Sequence, residues 1–201
     1  MTIQDNQLDL TLEALNPQKM RVHSLLLERK SQASFSCEEV DRRDIIRLLQ
    51  AARCAPSSHN SQPWYFIIVS NGSGREEINQ NIGATGATWA ATAPVLLAVI
   101  LNLEESIQQN ELNYGLFDAG LAVQNILLQA TSMGLAAHPV NYDSHEAVKS
   151  VLHLPQTHRL LLFIALGWPA NEPTKSESSR LRKPLAAIAS WDRWDGSPVL
   201  E

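Results

Sequence analysis

The side chains best suited to ligand binding lie in residues 55–64, which read Ala-Pro-Ser-Ser-His-Asn-Ser-Gln-Pro-Trp. Pro56 and Pro63 each fix φ and push the preceding residue toward extended geometry, so this loop is stiff. A stiff loop can present Ser57, Ser58, Asn60 and Gln62 in a set arrangement, as binding loops on rigid scaffolds do. The same residue types also form turns that cap helices and start strands, so the loop alone leaves both interpretations open.

No other group of residues predicts a catalytic centre. The six histidines lack metal-ligand spacing, and neither a Ser-His-Asp order nor a carboxylate pair is evident. The stretch 83–86 lacks the spacing and the preceding strand of a Rossmann nucleotide site. Asp118, Gln124 and Asn125 lie on one predicted helix but cannot all face one direction. Each is therefore better explained by hydrogen bonds at the helix surface or at an interface.

Composition excludes several classes of function. The chain has 201 residues, which favours one domain with a sizeable core. Its net charge of −5 argues against nucleic acid or an anionic membrane as the main partner. The longest apolar runs, 95–101 and 160–166, are too short to span a bilayer and suit buried strands.

Cysteine usage and the N-terminus indicate the compartment. Cys37 and Cys54 form neither a CxxC motif nor a disulfide framework, and we expect Cys54 to lie in the core. A basic start followed by an apolar run is missing at the N-terminus, so no signal peptide is predicted. These features predict a cytoplasmic protein with two reduced thiols.

Periodicity predicts the elements that hold the loop. Residues 1–17 are interpreted as a peripheral arm and residues 18–201 as a single domain. A capping box at Ser36–Glu39 is expected to open the helix that precedes the loop. The predicted helices are 18–29, the helix from this capping box up to the loop, the first part of 75–92, 111–133 with Gly134 as its C-cap, and a short one capped by 143–146 that ends near 154–155. The predicted strands are 65–69, 95–101 and 159–166, the last two being inner strands.

Four segments in this order resemble the FMN-dependent nitroreductase family. They are Arg-Lys-Ser-Gln-Ala-Ser-Phe at 29–35, the loop Pro-Ser-Ser-His-Asn-Ser-Gln-Pro-Trp at 56–64, Asp-Ala-Gly-Leu-Ala-Val-Gln-Asn at 118–125 with Gly-Leu at 134–135, and Ala-Leu-Gly-Trp-Pro at 165–169 followed by Arg-Leu-Arg-Lys-Pro-Leu at 180–185. The resemblance covers roughly residues 22–190. It implies an α+β, three-layer fold with a central, mainly antiparallel sheet flanked by helices, assembled as a homodimer.

The resemblance also implies which residues hold FMN. Arg29, Ser31, Arg180 and Arg182 would bind the phosphate, since guanidinium groups suit a phosphate dianion. Lys30 belongs to the same segment but is expected to point to solvent. Taken alone, the stretch 180–183 is better explained as a solvated basic tail.

The flavin ring has its own expected partners. Asn60 and Gln62, with the backbone and hydroxyls of Ser57 and Ser58, would bind its polar edge, and Pro56 belongs to the same loop. In the family this loop comes partly from the other subunit. A backbone N–H in the segment Pro139-Val140-Asn141-Tyr142 would meet the ring nitrogen N5. His138 directly precedes that segment and is the histidine best placed to line the pocket.

Several positions depart from the family pattern. Ala33 replaces a second basic residue, and Thr85 and Thr88 lie where relatives often place Asn and Lys on the cofactor. These changes weaken the positive surround of the phosphate. They leave open whether FMN binds less tightly or whether Thr hydroxyls and water take over.

The implied function is reduction of a nitroaromatic, quinone or similar small molecule by NADH or NADPH through FMN. Because the flavin carries the chemistry, no catalytic side chain and no metal is predicted. Two alternatives stay open at this point: a flavin-dependent dehydrogenase or oxidase of a peptide or other metabolite, and a flavin-binding module with little turnover.

Overall fold

The structure, a computed structural model, describes residues 22–72, 74–170 and 182–199. The chain divides into two units, Glu28–Lys175 and a second unit of Met1–Leu27 together with Ser176–Glu201. The arm predicted at residues 1–17 lies outside the described residues.

Helices and strands are interspersed along the described chain. The helices are α1 (Ser24–Glu28), α2 (Arg42–Arg53), α3 (Arg75–Gly83), α4 (Tyr114–Ser132) and α5 (His145–Val151). The strands are β1 (Trp64–Val69), β2 (Val95–Asn102), β3 (Gln108–Gln109), β4 (Leu112–Asn113), β5 (Ala136–Val140) and β6 (His158–Gly167). Short 3₁₀ turns occur at Ser58–Asn60, Thr88–Thr92 and Leu185–Ala187.

A four-stranded sheet with the order β1-β2-β6-β5 forms the middle layer of the larger unit. All its pairings are antiparallel. Strands β2 and β6 occupy the two inner positions and are buried along most of their length. Unbroken apolar runs are typical of strands covered on both faces, so the prediction of two inner strands is confirmed.

Helices cover both faces of the sheet. Successive strand residues point to opposite faces. On one face, Leu97 of β2 packs in a core with Leu48 of α2 and Ile126 of α4. On the other, Leu96 packs in a second core with Ile78 of α3 and Val148 of α5. This arrangement confirms the predicted three-layer α+β architecture.

Helix α2, which leads into the loop, begins later than predicted. Its N-cap is Asp41, whose side chain accepts a hydrogen bond from the Arg43 N–H at 2.7 Å. Ser36 instead forms a local turn by accepting the Glu38 N–H. The prediction for Cys54 is also wrong: this residue is the C-cap of α2 and is exposed.

Helix α4 is shorter at its start than predicted and ends as predicted. Residues 112–113 pair with 108–109 in a small hairpin, and Asn113 caps the helix by accepting the Gly115 N–H. At the other end Gly134 has φ 76°, and the Leu135 N–H bonds to the Ala130 carbonyl. This Schellman ending turns the chain directly into β5.

The sequence did not predict β5 as a strand, because Pro139 interrupts its apolar pattern. Proline lacks an N–H and is confined to the edges of sheets. Strand β5 is an edge strand, and Pro139 pairs there with Ile164 of β6. None of the helices in the part of the chain described here has the length and apolarity needed to cross a bilayer.

Candidate functional site

The loop between α2 and β1 adopts a strained, internally bonded conformation. His59, Asn60 and Gln62 have positive φ values of 52°, 58° and 50°. The Ser57 hydroxyl accepts the Gln62 N–H at 3.0 Å, and the Gln62 amide donates to the Asn60 carbonyl at 3.0 Å. Non-glycine residues occupy this region only when their surroundings impose it, and such strain clusters at binding sites. The loop therefore has a defined conformation that a simple connection between α2 and β1 would not need.

Asp118 on α4 holds this loop in place through a hydrogen bond. Its carboxylate is 2% exposed and accepts the Ser58 backbone N–H with both oxygens, at 3.2 and 3.1 Å. Asp118 thus makes a structural hydrogen bond, as expected, but it is buried in the structure and does not lie at the helix surface. The contact also removes the Ser58 N–H from the set of expected flavin donors. The exposed side chains of Asn60 and Gln62 remain available for binding.

The first basic cluster lies on the segment that follows α1. The Arg29 guanidinium lies 3.5 Å from the Ser31 hydroxyl, and Lys30 is exposed. Arg29 and Ser31 are two residues apart with their side chains in contact, so both can reach one anion. This donor set suits a phosphate group.

The continuation of this segment is fixed to the end of β6. Phe35 forms a bridge with Pro169, and the Ser36 N–H bonds to the Trp168 carbonyl at 2.8 Å. The Ala170 N–H in turn bonds to the Ser34 carbonyl. Two of the four segments that carried the family resemblance are thus joined by backbone hydrogen bonds.

His138 of β5 links the basic segment to the expected N5 segment. Its Nδ1 lies 3.1 Å from the Gln32 carbonyl, which can only accept, so Nδ1 carries the proton. The imidazole stacks on Trp89 with ring centroids 4.3 Å apart. Burial lowers the pKa of His138, the bond to Gln32 opposes this, and the Arg29 charge lowers it further. The ring is therefore neutral near pH 7.

The residues after His138 end β5 and turn toward α5. Pro139 is half-buried, Val140 is buried and Asn141 is exposed. Tyr142 fixes this turn, since its hydroxyl donates to the Leu160 carbonyl at 2.7 Å and lies 3.2 Å from His145 Nδ1. Burial raises the pKa of Tyr142, so its hydroxyl stays protonated and keeps donating.

The predicted site residues of the larger unit thus form two clusters. The loop cluster comprises 56–62 on Asp118, and the basic cluster comprises 29–35 with 138–141. The loop leads into β1 and the N5 segment lies in β5, the opposite edge of the sheet. At about 4.8 Å between strands, these edges are about 14 Å apart. The loop and the N5 segment of one chain therefore adjoin opposite edges of the sheet.

The departures from the family pattern differ in their surroundings. The Thr85 hydroxyl, just after the end of α3, donates to the Ile82 carbonyl at 2.7 Å. It is therefore not available to donate to a phosphate. Thr88 is exposed at the start of the turn that carries Trp89. Thr88, rather than Thr85, can offer a hydroxyl hydrogen to a ligand.

The second basic cluster belongs to the smaller unit. Arg180 lies outside the described residues, and Arg182 is exposed. Their predicted role at the phosphate stays a prediction.

A cavity of about 800 Å³ lies away from both clusters. It is lined by Cys37, Glu39, Val40, Arg42, Ile45, Ile46, Leu49, Ile68, Ser70, Asn71, Arg75, Asn79 and residues 91–95. Arg75 donates here to the carbonyls of Val69, Ser70 and Ala93 and to the Asn79 side chain. These bonds fasten the end of β1 to the start of β2, which indicates a structural role. In the described part of the chain, no group of three His, Cys, Asp or Glu could hold a metal.

Asp118 and Trp89 are the site residues that sequence reasoning missed. Asp118 was recognised as part of a motif, and its place among buried apolar helix positions could have indicated an inward carboxylate. For Trp89 no local signal existed, because its contacts with His138 and Phe35 are long-range. Asn125 was predicted correctly as structural, since its amide donates to the Ala51 carbonyl at 3.1 Å.

Comparison with known proteins agrees with the family resemblance seen in the sequence. The sequence model of the nitroreductase family matches residues 26–88 and 80–168. A protein of Methanothermobacter thermautotrophicus with the provisional name NADH dehydrogenase/NAD(P)H nitroreductase is 32% identical over 160 residues, covering 77% of this chain and 81% of its own. An FMN reductase [NAD(P)H] of Bacillus subtilis is 25% identical over 167 residues, covering 75% of this chain and 66% of that protein.

A solved structure extends the likeness to almost the whole chain. The crystal structure of an oxidoreductase containing FMN superposes with a TM-score of 0.76 at 25% identity, covering 98% of this chain and 100% of that one. The sheet order, the backbone bonds that join two of the resembling segments and the match to the family sequence model all indicate the same family. The chain belongs to the nitroreductase family.

Proposed function

We propose that the protein is an FMN-dependent oxidoreductase that uses NADH or NADPH to reduce a nitroaromatic, quinone or similar small acceptor. The observation that carries this proposal is the joining of the basic segment to β5 through His138 and Gln32. That bond joins Gln32, three residues after Arg29, to the strand that leads into the candidate N5 segment, which supports a shared cofactor site. The names of the related FMN reductase and of the FMN-containing oxidoreductase support the choice of cofactor.

The residues present fit FMN by their chemistry. Arg29 supplies a permanent positive charge and Ser31 a hydroxyl, within 3.5 Å of each other. Asn60 and Gln62 supply amide groups on an exposed loop, which match the alternating donors and acceptors of a flavin edge.

Bound FMN would supply the redox chemistry, taking a hydride from the nicotinamide and passing electrons to the acceptor. This chain's residues bind and orient. Arg29 and Ser31 would hold the phosphate, and the loop on Asp118 would hold the polar edge of the ring. The turn at 140–141, fixed by Tyr142, would offer backbone N–H groups to the reacting side. No side chain is assigned a proton-transfer role in the reaction.

The separation of the two clusters favours a homodimer with shared sites. The loop of one chain would complete the pocket formed by the basic cluster of its partner. Helix α4 carries Leu116 and Phe117 at 54% and 64% exposure, which suits a helix that a second copy covers. A cytoplasmic location stays part of the proposal.

Spectroscopy of the purified protein tests this function. We expect FMN to bind with its two visible absorbance bands, and anaerobic NADH or NADPH to bleach them. A colourless protein that takes up no FMN would contradict the whole proposal. A yellow protein that neither nicotinamide reduces would leave FMN binding intact but overturn the NAD(P)H-dependent activity.

A further inference from the structure

We propose that His138 is a conditional cation of the phosphate site: it is neutral in the cofactor-free protein and takes up a proton when the FMN phosphate binds beside Arg29. This inference rests on the proposed function, because it assumes that FMN is the ligand. Protonated His138 would supply a positive charge that a second basic residue of the first segment supplies in the family pattern.

The position of the imidazole motivates the proposal. His138 Nδ1 meets the carbonyl of Gln32, the residue directly before Ala33. Ala33 stands where the family resemblance places a second basic side chain, so this segment has lost one positive charge. His138 reaches the same stretch of backbone from β5, and the Arg29 charge lowers the pKa of its ring. The imidazole is thus a titratable group that can replace the missing cation.

The surroundings decide which charge state the ring adopts. Arg29 is the charged group that acts on it, and Lys30 on the same segment is exposed. The turn Thr88–Thr92 brings Trp89 and no titratable side chain, and the paired residue of β6 is Ala165. Burial and Arg29 both disfavour the imidazolium in the free protein. A phosphate dianion that pairs with Arg29 reverses the sign of the local field.

Two further contacts suit a protonated ring. Trp89 lies face to face with it at 4.3 Å, and an aromatic face stabilises an adjacent cation. The Nδ1–H keeps its bond to Gln32 in both states, so only Nε2 gains a proton. That proton comes from solvent, and no other bond forms or breaks.

An NMR titration with ¹³Cε1-labelled histidine tests the proposal directly. The His138 signal is assigned by its loss in His138→Gln and by its contact with Trp89 in the unaltered protein. We expect a pKa below the ordinary 6.5 in the cofactor-free protein. A bound phosphate within about 4–6 Å of the ring should raise its proton affinity about tenfold or more. Riboflavin, which lacks the phosphate, should leave it unchanged.

Calorimetry provides the matched comparison. FMN is titrated at pH 7 into the unaltered protein and into His138→Gln, each in two buffers of different ionisation enthalpy. The unaltered protein should take up more protons per FMN than the variant. Proton exchange in the variant comes from the titration of the phosphate alone. An unchanged His138 pKa on FMN binding, or an equal rise with riboflavin, would overturn the inference while FMN binding itself stood. If no FMN binds at all, the proposed function fails first and the inference with it.

Discussion

Asp118 and Ser58, sixty positions apart in sequence, are joined by a two-oxygen contact between a buried carboxylate and a backbone N–H at 3.1 and 3.2 Å. The carboxylate belongs to the longest helix, and the N–H opens the strained turn of the binding loop. The loop conformation therefore depends on a hydrogen-bond acceptor held in the core.

Replacing Asp118 should loosen the loop. We expect Asp118→Ala to destabilise the protein by about 1–3 kcal/mol, because the Ser58 N–H loses its acceptor. FMN affinity should fall as well, whereas Asp118→Asn, whose amide oxygen can still accept, should keep most of it. Urea unfolding and FMN titration measure the two effects.

Asn125→Ala is the matched control on the same helix. It removes a hydrogen bond to Ala51 and should cost about 1 kcal/mol without changing FMN affinity. If both helix variants weaken FMN equally, the effect is general destabilisation and Asp118 has no special role in the loop.

Arg75 is expected to matter for stability alone. Its guanidinium makes three bonds to carbonyls at the ends of β1 and before β2, the shortest being 2.6 Å to Ala93. Arg75→Met keeps the length of the side chain but leaves these acceptors without their donor, so we expect a loss of about 3 kcal/mol. Chemical denaturation measures it. A loss below about 0.5 kcal/mol would show that water replaces the guanidinium.

The lowered pKa of His138 predicts a pH dependence of the cofactor-free protein. A histidine with a folded pKa below 6.5 binds protons more readily when unfolded, so acid favours unfolding. Its contribution to stability is fully present above about pH 6.5 and is lost as the pH falls through the folded pKa. Thermal unfolding between pH 7.5 and 5 should show this loss, and His138→Gln should reduce it. If the stability of both proteins fell equally with pH, His138 would not be the group responsible for the pH dependence.

Arg29 should dominate the FMN phosphate contact. Arg29→Ala removes charge-assisted hydrogen bonds worth roughly 1.5–3 kcal/mol, which corresponds to about a tenfold to hundredfold loss of FMN affinity. Riboflavin affinity should change much less. Lys30→Ala, at an exposed neighbouring position, serves as the control and should leave both affinities nearly unchanged. An equal loss for FMN and riboflavin would place Arg29 away from the phosphate.

Sequence alone predicted the parts of this fold that depend on local pattern. The two inner strands followed from unbroken apolar runs, and the end of α4 followed from Gly134, whose φ is 76°. Edge strand β5 was missed because Pro139 interrupts its apolar pattern and because its pairing with β6 leaves no local signal. The start of α2 was misplaced because Ser36 has the residue type of an N-cap but forms a local turn, whereas Asp41 caps the helix.

The site was predictable in its parts and not in its connections. The loop residues and the basic segment were recognisable from residue type and order. The bonds from Asp118 to Ser58 and from His138 to Gln32 span 60 and 106 positions. Contacts of that range depend on how the layers pack, so periodicity and motif spacing carry no information about them.

The central claim is that one FMN site combines the basic cluster of one chain with the loop cluster of another. A mixed dimer tests it: one chain carries Arg29→Ala, and the other carries Asn60→Ala with Gln62→Ala. The two chains are co-expressed with different tags and purified as the mixed species, and tight FMN sites are counted by fluorescence titration. Each parent homodimer should have both sites weakened, whereas the mixed dimer should recover one tight site, because all defects fall in the other. Two weakened sites in the mixed dimer would show that each site is built from a single chain.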